Sequence, residues 1–196
     1  MIDFPLFPLQ TIIFPYCRLP LQIFEQRYLK LVKNSLINDT SFGLVSRSLT
    51  KNDDTDKILP IGTAVKIVDF DERPNGLLGI TCEGLYKFKI NESHPNSENL
   101  LLASVDKIIE EPKLPVSNDF EDLVFILEAL KKHPYVKSLG YGDFILDDWL
   151  ADASRLGFFL SYLLPFNYDI RYKLLIMEDP LNRLQSIKTH MDNLKS

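Results

Sequence analysis

The chain has 196 residues, 45% of them hydrophobic, and a net charge of −5, so it is long enough to bury one sizeable core or two small ones. This acidic balance excludes the positive excess that binding to phosphate requires, and we expect no nucleic acid as a partner. The most apolar window is too short to span a bilayer and the amino terminus has no basic secretory signal, so we expect no membrane partner and a cytoplasmic location.

Short apolar segments early in the chain predict strands. Residues 19–24 and 42–46 are rich in apolar residues with β-branched or aromatic members, and residues 63–71 alternate between apolar and polar for part of their length. The dipeptide Asn75-Gly76 predicts a tight hairpin turn after the third of these strands, because both residues tolerate a positive φ angle.

One helix is predicted between these strands, at residues 25–38, because apolar side chains recur along one side of it. Two further strands are predicted at residues 77–90 and 100–109. The polar segments 50–56 and 91–99 have the composition of exposed loops. The first part of the chain is therefore predicted to be rich in β-structure.

Residues 112–117 contain two prolines and a serine and mark a change of character. We therefore predict two domains, residues 1–115 and residues 116–196, of which the second is helical. Its first helix is predicted to follow Asn118, which stands three residues before Glu121 with the spacing of a capping box.

Three more helices are predicted in this second part. One begins near Asp147 and ends before Pro165, and another covers about residues 169–177. The last one starts at Asp179 as the N-cap, with Pro180 in the first helical position. An apolar stripe along it, which would allow weak self-association, consists of Leu181, Leu184, Ile187, Met191 and Leu194. The predicted fold class is therefore α+β.

The segment FPLQTIIFPYCRLPLQIFEQRYLKLV, residues 7–32, closely resembles the start of the Lon protease N-terminal, substrate-binding domain in its stand-alone form, where the pattern is approximately FPLxxxxLFPGxxLPLxIFExRYxxL. Three later segments are similar to that family in the same order: IGTAVKI at residues 61–67, CEGLYKFKI at 82–90 and DPLNRL at 179–184. The resemblance covers nearly the whole chain. It implies a six-stranded, PUA-like β pseudobarrel followed by a C-terminal helical bundle.

The same resemblance implies a function. The family's domain contacts polypeptides, so we expect polypeptide clients, or a protease or chaperone that receives them, as partners. In full-length Lon this domain precedes an ATPase and a serine-lysine protease domain, but the sequence contains no phosphate loop of the form GxxxxGKS or GxxxxGKT. We therefore expect a protein that is not an enzyme, with no catalytic residue, no cofactor and no metal.

We expect an apolar groove near the start of the chain to bind an extended, partly unfolded peptide. Aromatic residues are more frequent there than a small barrel has to bury, and an edge strand would add backbone hydrogen bonds. The predicted peptide-binding residues are Phe14, Tyr16, Leu21, Phe24 and Tyr28. The alternative is that these side chains build the core.

One position in this segment departs from the family pattern. Tyr16 follows the Phe-Pro pair after which the family usually has glycine. Tyrosine is strained at a positive φ angle, which glycine tolerates. The dipeptide Pro15-Tyr16 therefore predicts a type I turn rather than a type II turn.

Two alternative functions stay open, and the first is a PUA-like RNA-binding domain. Such a domain would use Lys87 and Lys89, which share one face of a predicted strand, although their alternation with apolar residues is more typical of an ordinary solvated face. The charged motif residue Glu25 needs no ligand, because a helix start and a salt bridge with Arg18 explain it.

The second alternative is a small-molecule or metal-dependent enzyme. His94, His133 and His190 have no partner that their spacing suggests, and Cys17 has no visible activating base. Acidic residues around a helix start could imitate metal ligands, but such residues normally complement the helix dipole: Asp143, Asp147, Asp148 and Asp152.

Overall fold

The computed structural model describes most of the chain: residues 3–47, 57–139, 141 and 150–195, the last three by their backbone alone. The chain divides into two compact units, Met1–Ile109 and Glu110–Ser196. The predicted domain bounds, 1–115 and 116–196, stay a prediction.

The described part of the first unit contains one mixed sheet, whose strands are β1 (Phe4–Leu9), β2 (Arg18–Ile23), β3 (Phe42–Ser46), β4 (Ile61–Glu72), β5 (Leu78–Pro95) and β6 (Leu101–Lys107). Their order is β2-β5-β4-β3-β1-β6, and β6 also pairs with β5. The long β5 makes this closure possible, because its first half pairs with β2 and its second half with β6. Five strands therefore close into a barrel, and β2 extends the sheet beyond it.

The interior of the barrel is filled by side chains, as expected for a barrel this small. Its buried cluster consists of Leu6, Val45, Ala64, Phe88 and Ala103. The ring of Phe4 meets the ring of Phe88 edge-on at a centroid distance of 5.4 Å. The barrel is therefore a packed core with no channel for a ligand in its described part.

The helix α1 (Gln26–Asn38) confirms the helix predicted at residues 25–38. It buries one face, which contains Tyr28, Leu31, Val32 and Ser35. The helix ends at Asp39, whose φ angle of 50° lies in the left-handed region that stops helices.

The loop predicted at residues 91–99 is partly wrong. Residues up to Pro95 belong to β5, where His94 lies opposite Leu102 of β6. Residues 91–95 are exposed on both faces of the strand, so they show no alternation of apolar and polar residues. The sequence pattern therefore did not predict that the strand continues there. The turn that follows is held by the Asn96 side chain, which accepts a hydrogen bond from the Leu100 backbone at 2.9 Å.

The second unit is helical in its described part, with a 3-10 turn (Asn118–Phe120) followed by α2 (Glu121–Lys131), α3 (Pro134–Ser138), α4 (Ala153–Leu163), α5 (Tyr168–Ile176) and α6 (Pro180–Lys195). These elements and the sheet confirm the α+β class, with a β-rich part followed by helices. The predicted helix start at residues 147–149 lies outside the described residues.

Two of the predicted helix caps have different outcomes. The capping box at Asn118 is wrong, because residues 118–120 form the 3-10 turn and no side chain caps α2. The cap at Asp179 is confirmed, since its Oδ1 accepts a hydrogen bond from the backbone of Asn182 at 2.8 Å. His133 follows the C-cap of α2 directly, and its side chain caps the start of α3.

An ion pair is buried at the centre of the second unit. Arg183 has a fully buried side chain, and its Nη1 donates to Oε2 of Glu111 at 2.7 Å. Its Nε donates to the backbone oxygen of Leu174, and its Nη2 donates to that of Met177. The hydroxyl of Ser154 donates to the same Glu111 carboxylate at 2.7 Å. Arg183 therefore joins three segments and gives a structural reason for the arginine of DPLNRL.

The apolar stripe of α6 is used inside the second unit. Leu184 and Ile187 are completely buried, and α6 packs against α4. These two residues are therefore not available to a second copy, and the weak self-association suggested by the stripe stays a prediction.

Candidate functional site

The predicted peptide-binding residues fall into different environments. Phe14 is completely buried, and Tyr28 is buried with its ring stacked on Phe7 at a centroid distance of 3.8 Å. Tyr16 and Leu21 are half-buried, and Phe24 is 67% exposed. In this conformation Phe14 and Tyr28 belong to the core and offer no surface to a ligand. Leu21 and Phe24 do offer such a surface.

The turn after Phe14 corrects the prediction of a type I turn. Tyr16 has a φ angle of 65°, and Cys17 donates a hydrogen bond from its backbone to the Phe14 oxygen at 3.1 Å, as in a type II turn. A non-glycine residue in this region costs about 1–2 kcal/mol. Two hydrogen bonds to one residue of β5 hold it there: Tyr16 N to Gly84 O at 2.8 Å, and Gly84 N to Cys17 O at 2.9 Å.

The projecting part of the sheet has an apolar face. Leu21 of β2 lies opposite Ile80 of β5, which in turn lies opposite Phe70 of β4, so the three side chains point to the same side. We call this surface the β2–β5–β4 face; its apolar residues are Leu19, Leu21, Ile23, Ile67, Phe70, Leu78, Ile80 and Cys82. Ile23, Ile80 and Cys82 are buried, whereas Phe70 at the side of the face is 61% exposed.

The opposite face of the same three strands is charged. Glu83 of β5 accepts from Arg18 of β2 at 3.2 Å and lies 3.5 Å from the ammonium group of Lys66 of β4. The predicted salt bridge between Arg18 and Glu25 is therefore wrong, because Glu25 pairs with Arg27 at 2.7 Å. This part of the sheet thus has a polar side and an apolar side, and only the apolar side suits an apolar ligand.

The edge of the sheet beside this face is formed by β2, which pairs only with β5 among the described strands. The Cys17 oxygen bonds to β5, so by alternation the backbone groups of Arg18, Pro20 and Gln22 point away from β5. Pro20 has no N–H, which removes one donor from this edge and limits pairing with other copies. At Pro20 and Gln22 this edge presents one backbone donor, the Gln22 N–H, and two acceptors, the Pro20 and Gln22 oxygens.

A shallow groove of about 440 Å³ runs between this edge and the β4–β5 turn. It is lined by Pro20, Leu21, Gln22, Arg73, Pro74 and Asn75. The amide of Gln22 donates to the side-chain oxygen of Asn75 at 2.9 Å and links the two sides. The turn itself confirms the predicted Asn75-Gly76 hairpin, since Gly76 has a φ angle of 75°.

Phe70 belongs to this surface but was missed as a site residue. It lies between Asp69 and Asp71 in a strand that alternates between apolar and acidic residues. That alternation places Phe70 on the face opposite the two aspartates, and this is the signal that could have found it. The sequence of β4 alone does not tell whether the Phe70 face or the aspartate face is exposed, because this depends on the neighbouring strands.

The residues weighed for catalysis or metal binding are not brought together. His94 and His133 are exposed, and the ring of His190 lies 6.0 Å from that of Phe166. Within residues 3–47, 57–139, 141 and 150–195 no three His, Cys, Asp or Glu side chains could hold a metal ion. Asp152 caps α4, while Asp143, Asp147 and Asp148 lie outside the described residues.

The solvated strand face predicted for Lys87 and Lys89 is also partly wrong. Lys89 is exposed, but Lys87 is buried, opposite the equally buried Thr63 of β4. A buried lysine cannot contribute to a basic strip on the surface. The proposed RNA-binding strand therefore has one accessible lysine in place of two.

Both cysteines are buried as thiols. Burial raises the pKa of the Cys82 thiol to about 12. The neutral thiol is favoured in the folded protein, so its contribution to stability is complete at neutral pH and declines as the pH rises toward 12.

We expect neither thiol to react with a disulfide reagent at pH 8 in the native protein, and both to react within seconds in urea, as a colorimetric thiol titration would show. Rapid reaction without denaturant would contradict this burial.

The fold and this surface together define the class: a small barrel with a helical second unit and an apolar face beside an open sheet edge. The sequence profile of the ATP-dependent protease La (LON) substrate-binding domain matches residues 3–193. The chain belongs to this family. The match is to the substrate-binding domain, and no catalytic domain is shown.

Relatives and solved structures agree with this assignment. The chain is 28% identical over 134 residues to a Lon protease of Flavobacterium johnsoniae, covering 67% of this chain and 16% of that protein. It is 24% identical to a Lon protease of Buchnera aphidicola (subsp. Baizongia pistaciae), covering 98% of this chain and 25% of that protein. The chain therefore spans a quarter or less of the length of these relatives.

Two solved structures have the same fold. A Lon N-terminal domain protein from Xanthomonas campestris superposes with a TM-score of 0.77 at 25% identity, covering 96% of this chain and 98% of that one. The N-terminal domain of a Mycobacterium avium complex Lon protease superposes with a TM-score of 0.64 at 16% identity, covering 94% and 95% of the two chains. In the described part of the chain no helix combines the length and apolar character needed to cross a membrane.

Proposed function

We propose that this protein binds extended, partly unfolded polypeptides through the β2–β5–β4 face and presents them to a protease or chaperone. The observation that carries the proposal is an apolar surface formed by the half-buried Leu21 and the exposed Phe70, with the exposed Phe24 just after β2. It lies beside a sheet edge where the backbone groups of Pro20 and Gln22 point away from β5. Membership of the substrate-binding domain family supports it. That the client is an unfolded polypeptide, and that a protease or chaperone receives it, are both proposed here.

The energetics suit a ligand without a fixed sequence. Burying one Leu or Phe side chain stabilises a complex by about 1.5–3 kcal/mol, and apolar contacts have no strict directional demand. Leu21 and Phe70 flank Ile80 across three strands, so their backbones lie about 10 Å apart. Apolar side chains at alternate positions of an extended peptide fit such a surface, while the edge of β2 bonds to the peptide backbone.

A double substitution tests the proposal. We expect Leu21→Glu with Phe70→Glu to weaken binding of an unfolded reporter protein at least about tenfold, because two apolar contacts are replaced by charges that would have to be desolvated. Binding is measured by fluorescence anisotropy with a labelled reporter kept unfolded by alkylation of its cysteines.

The matched control is Ile109→Glu, since Ile109 is 90% exposed and lies outside the β2–β5–β4 face. This variant should bind the reporter like the wild type. Equal losses in both variants would mean that added negative charge alone reduces binding, and an unchanged affinity of the double variant would contradict the proposed site. Salt-dependent binding of mixed RNA would favour the RNA-binding alternative instead.

A cytoplasmic location is also proposed. Two buried thiols and the absence of a disulfide between them agree with a reducing compartment. Fractionation of cells that express the tagged full-length protein would test this, and recovery in an oxidising compartment would contradict it.

A further inference from the structure

The second unit has an apolar groove of its own, with a volume of about 430 Å³. The outer side of α2 forms one wall, and a short extended segment forms the other. The residues that define it are Val116, Glu121, Val124, Phe125, Glu128 and Ala151. All of them belong to the second unit, so this groove is distinct from the β2–β5–β4 face.

The helix α2 has two apolar sides. Leu123 and Leu127 are buried on one side, whereas Phe125 on the other side is 72% exposed. Glu121, Val124, Phe125 and Glu128 have the three-, four- and seven-residue spacing that places them along one helix face. A helix of a small globular unit normally needs only one apolar face, so the outer face calls for an explanation.

The other wall is held in place by the backbone. Val116 donates to the Ala151 oxygen at 3.1 Å, and Ala153 donates to the Leu114 oxygen at 2.8 Å. Pro115 and Asp152 form a β-bridge between these two bonds. The groove is therefore preformed, and a ligand does not have to order this wall before it binds.

The charges along the groove are acidic. Glu121 and Glu128 are two helical turns apart, about 10 Å, with Phe125 between them. Neither carboxylate forms a hydrogen bond or ion pair with another described residue, whereas the neighbouring Asp122 pairs with Lys188 at 3.1 Å. The complementary ligand has an apolar centre and two positive charges at the same spacing.

We propose that this groove docks a basic amphipathic helix of a partner protein. An apolar side chain of the partner packs on Phe125, and Lys or Arg residues seven positions apart face Glu121 and Glu128. Residues 142–149 of the same chain do not suit this acidic groove, because that segment contains three aspartates and no basic residue. This inference is independent of the proposed binding of unfolded clients.

Peptide binding tests the inference. The probe is a labelled peptide of about four helical turns with an apolar stripe and two lysines seven positions apart, and its control has glutamates in place of those lysines. We expect the wild-type protein to bind the lysine peptide at least about tenfold more tightly than the glutamate peptide, because each ion pair adds to the apolar contact.

Three variants complete the test. Glu121→Lys with Glu128→Lys should reverse the preference between the two peptides, and Phe125→Ser should weaken binding of both about tenfold. Glu178→Lys is the matched control, since Glu178 is exposed in the same unit but does not line the groove, and it should leave both affinities unchanged. All these positions are exposed, so the variants are expected to fold.

Two results would overturn the inference. The first is equal affinity of the two peptides for the wild type and the charge-reversed variant. The second is a concentration-dependent dimer in sedimentation that Phe125→Ser abolishes, which would make a second copy the occupant.

Discussion

Replacing Arg183 by alanine is expected to lower the free energy of unfolding by about 3–5 kcal/mol, because the Glu111 carboxylate would stay buried without its partner. The guanidinium group of Arg183 also donates to the backbone oxygens of Leu174 and Met177 and lies 4.2 Å from the ring of Phe158. Urea unfolding followed by far-ultraviolet circular dichroism would measure the loss. A domain is typically stable by about 5–15 kcal/mol, so Arg183→Ala would remove a large part of it.

Two controls separate charge from packing. Lys188→Ala breaks an exposed ion pair on the same helix and should cost less than about 1 kcal/mol. Arg183→Met with Glu111→Leu removes both buried charges and should recover at least about half of the loss, the rest being due to carbonyl groups left without donors. If Arg183→Ala were no more harmful than Lys188→Ala, the ion pair would not hold the second unit together.

Gly84→Ala is expected to destabilise the first unit by about 2–4 kcal/mol, through steric overlap and the loss of backbone hydrogen bonds. A Cβ atom at position 84 would lie 2.2 Å from the backbone oxygen of Phe14, and backbone atoms cannot rotate away from such a contact. The turn at Tyr16 would have to separate from β5 and lose the bonds that keep tyrosine at a positive φ angle.

The matched control for this substitution lies in the same strand. At Gly79 an added Cβ atom would meet the ends of the Asp71 and Arg73 side chains, which are partly exposed and can move. We expect Gly79→Ala to cost less than about 1 kcal/mol. Thermal unfolding of both variants would show the difference, and equal midpoints would mean that the contact between Gly84 and the turn is not a tight one.

Elements with a strong local pattern could be predicted from the sequence. The strand at residues 42–46, the helix α1 and the cap at Asp179 depend on neighbours in the chain, and the structure agrees with each. The strand β1 was missed because Pro5 and Pro8 are typical of a broken strand. At Pro5 only β6 pairs with β1, and at Pro8 only β3 does. Each proline therefore has one side without a described strand partner, where its missing N–H is not needed.

The candidate site was only partly predictable, for a related reason. The type II turn at Tyr16 depends on Gly84, a residue far away in the sequence. The excess of aromatic residues indicated an apolar surface but did not tell which rings point inward, and Phe14 and Tyr28 proved to be core residues. Phe70 joins Leu21 only through the pairing of three strands. Long-range register therefore decides the surface.

Photo-cross-linking of an unfolded reporter to the wild-type protein would test the central claim most directly. The reporter carries a photoreactive group, and the cross-linked peptides are identified by mass spectrometry. We expect cross-links to concentrate on β2, Phe24 and the part of β4 and β5 between Ile67 and Ile80, and to disappear in the Leu21→Glu and Phe70→Glu double variant. Cross-links that are absent, or that lie elsewhere and persist in that variant, would contradict polypeptide binding at the β2–β5–β4 face.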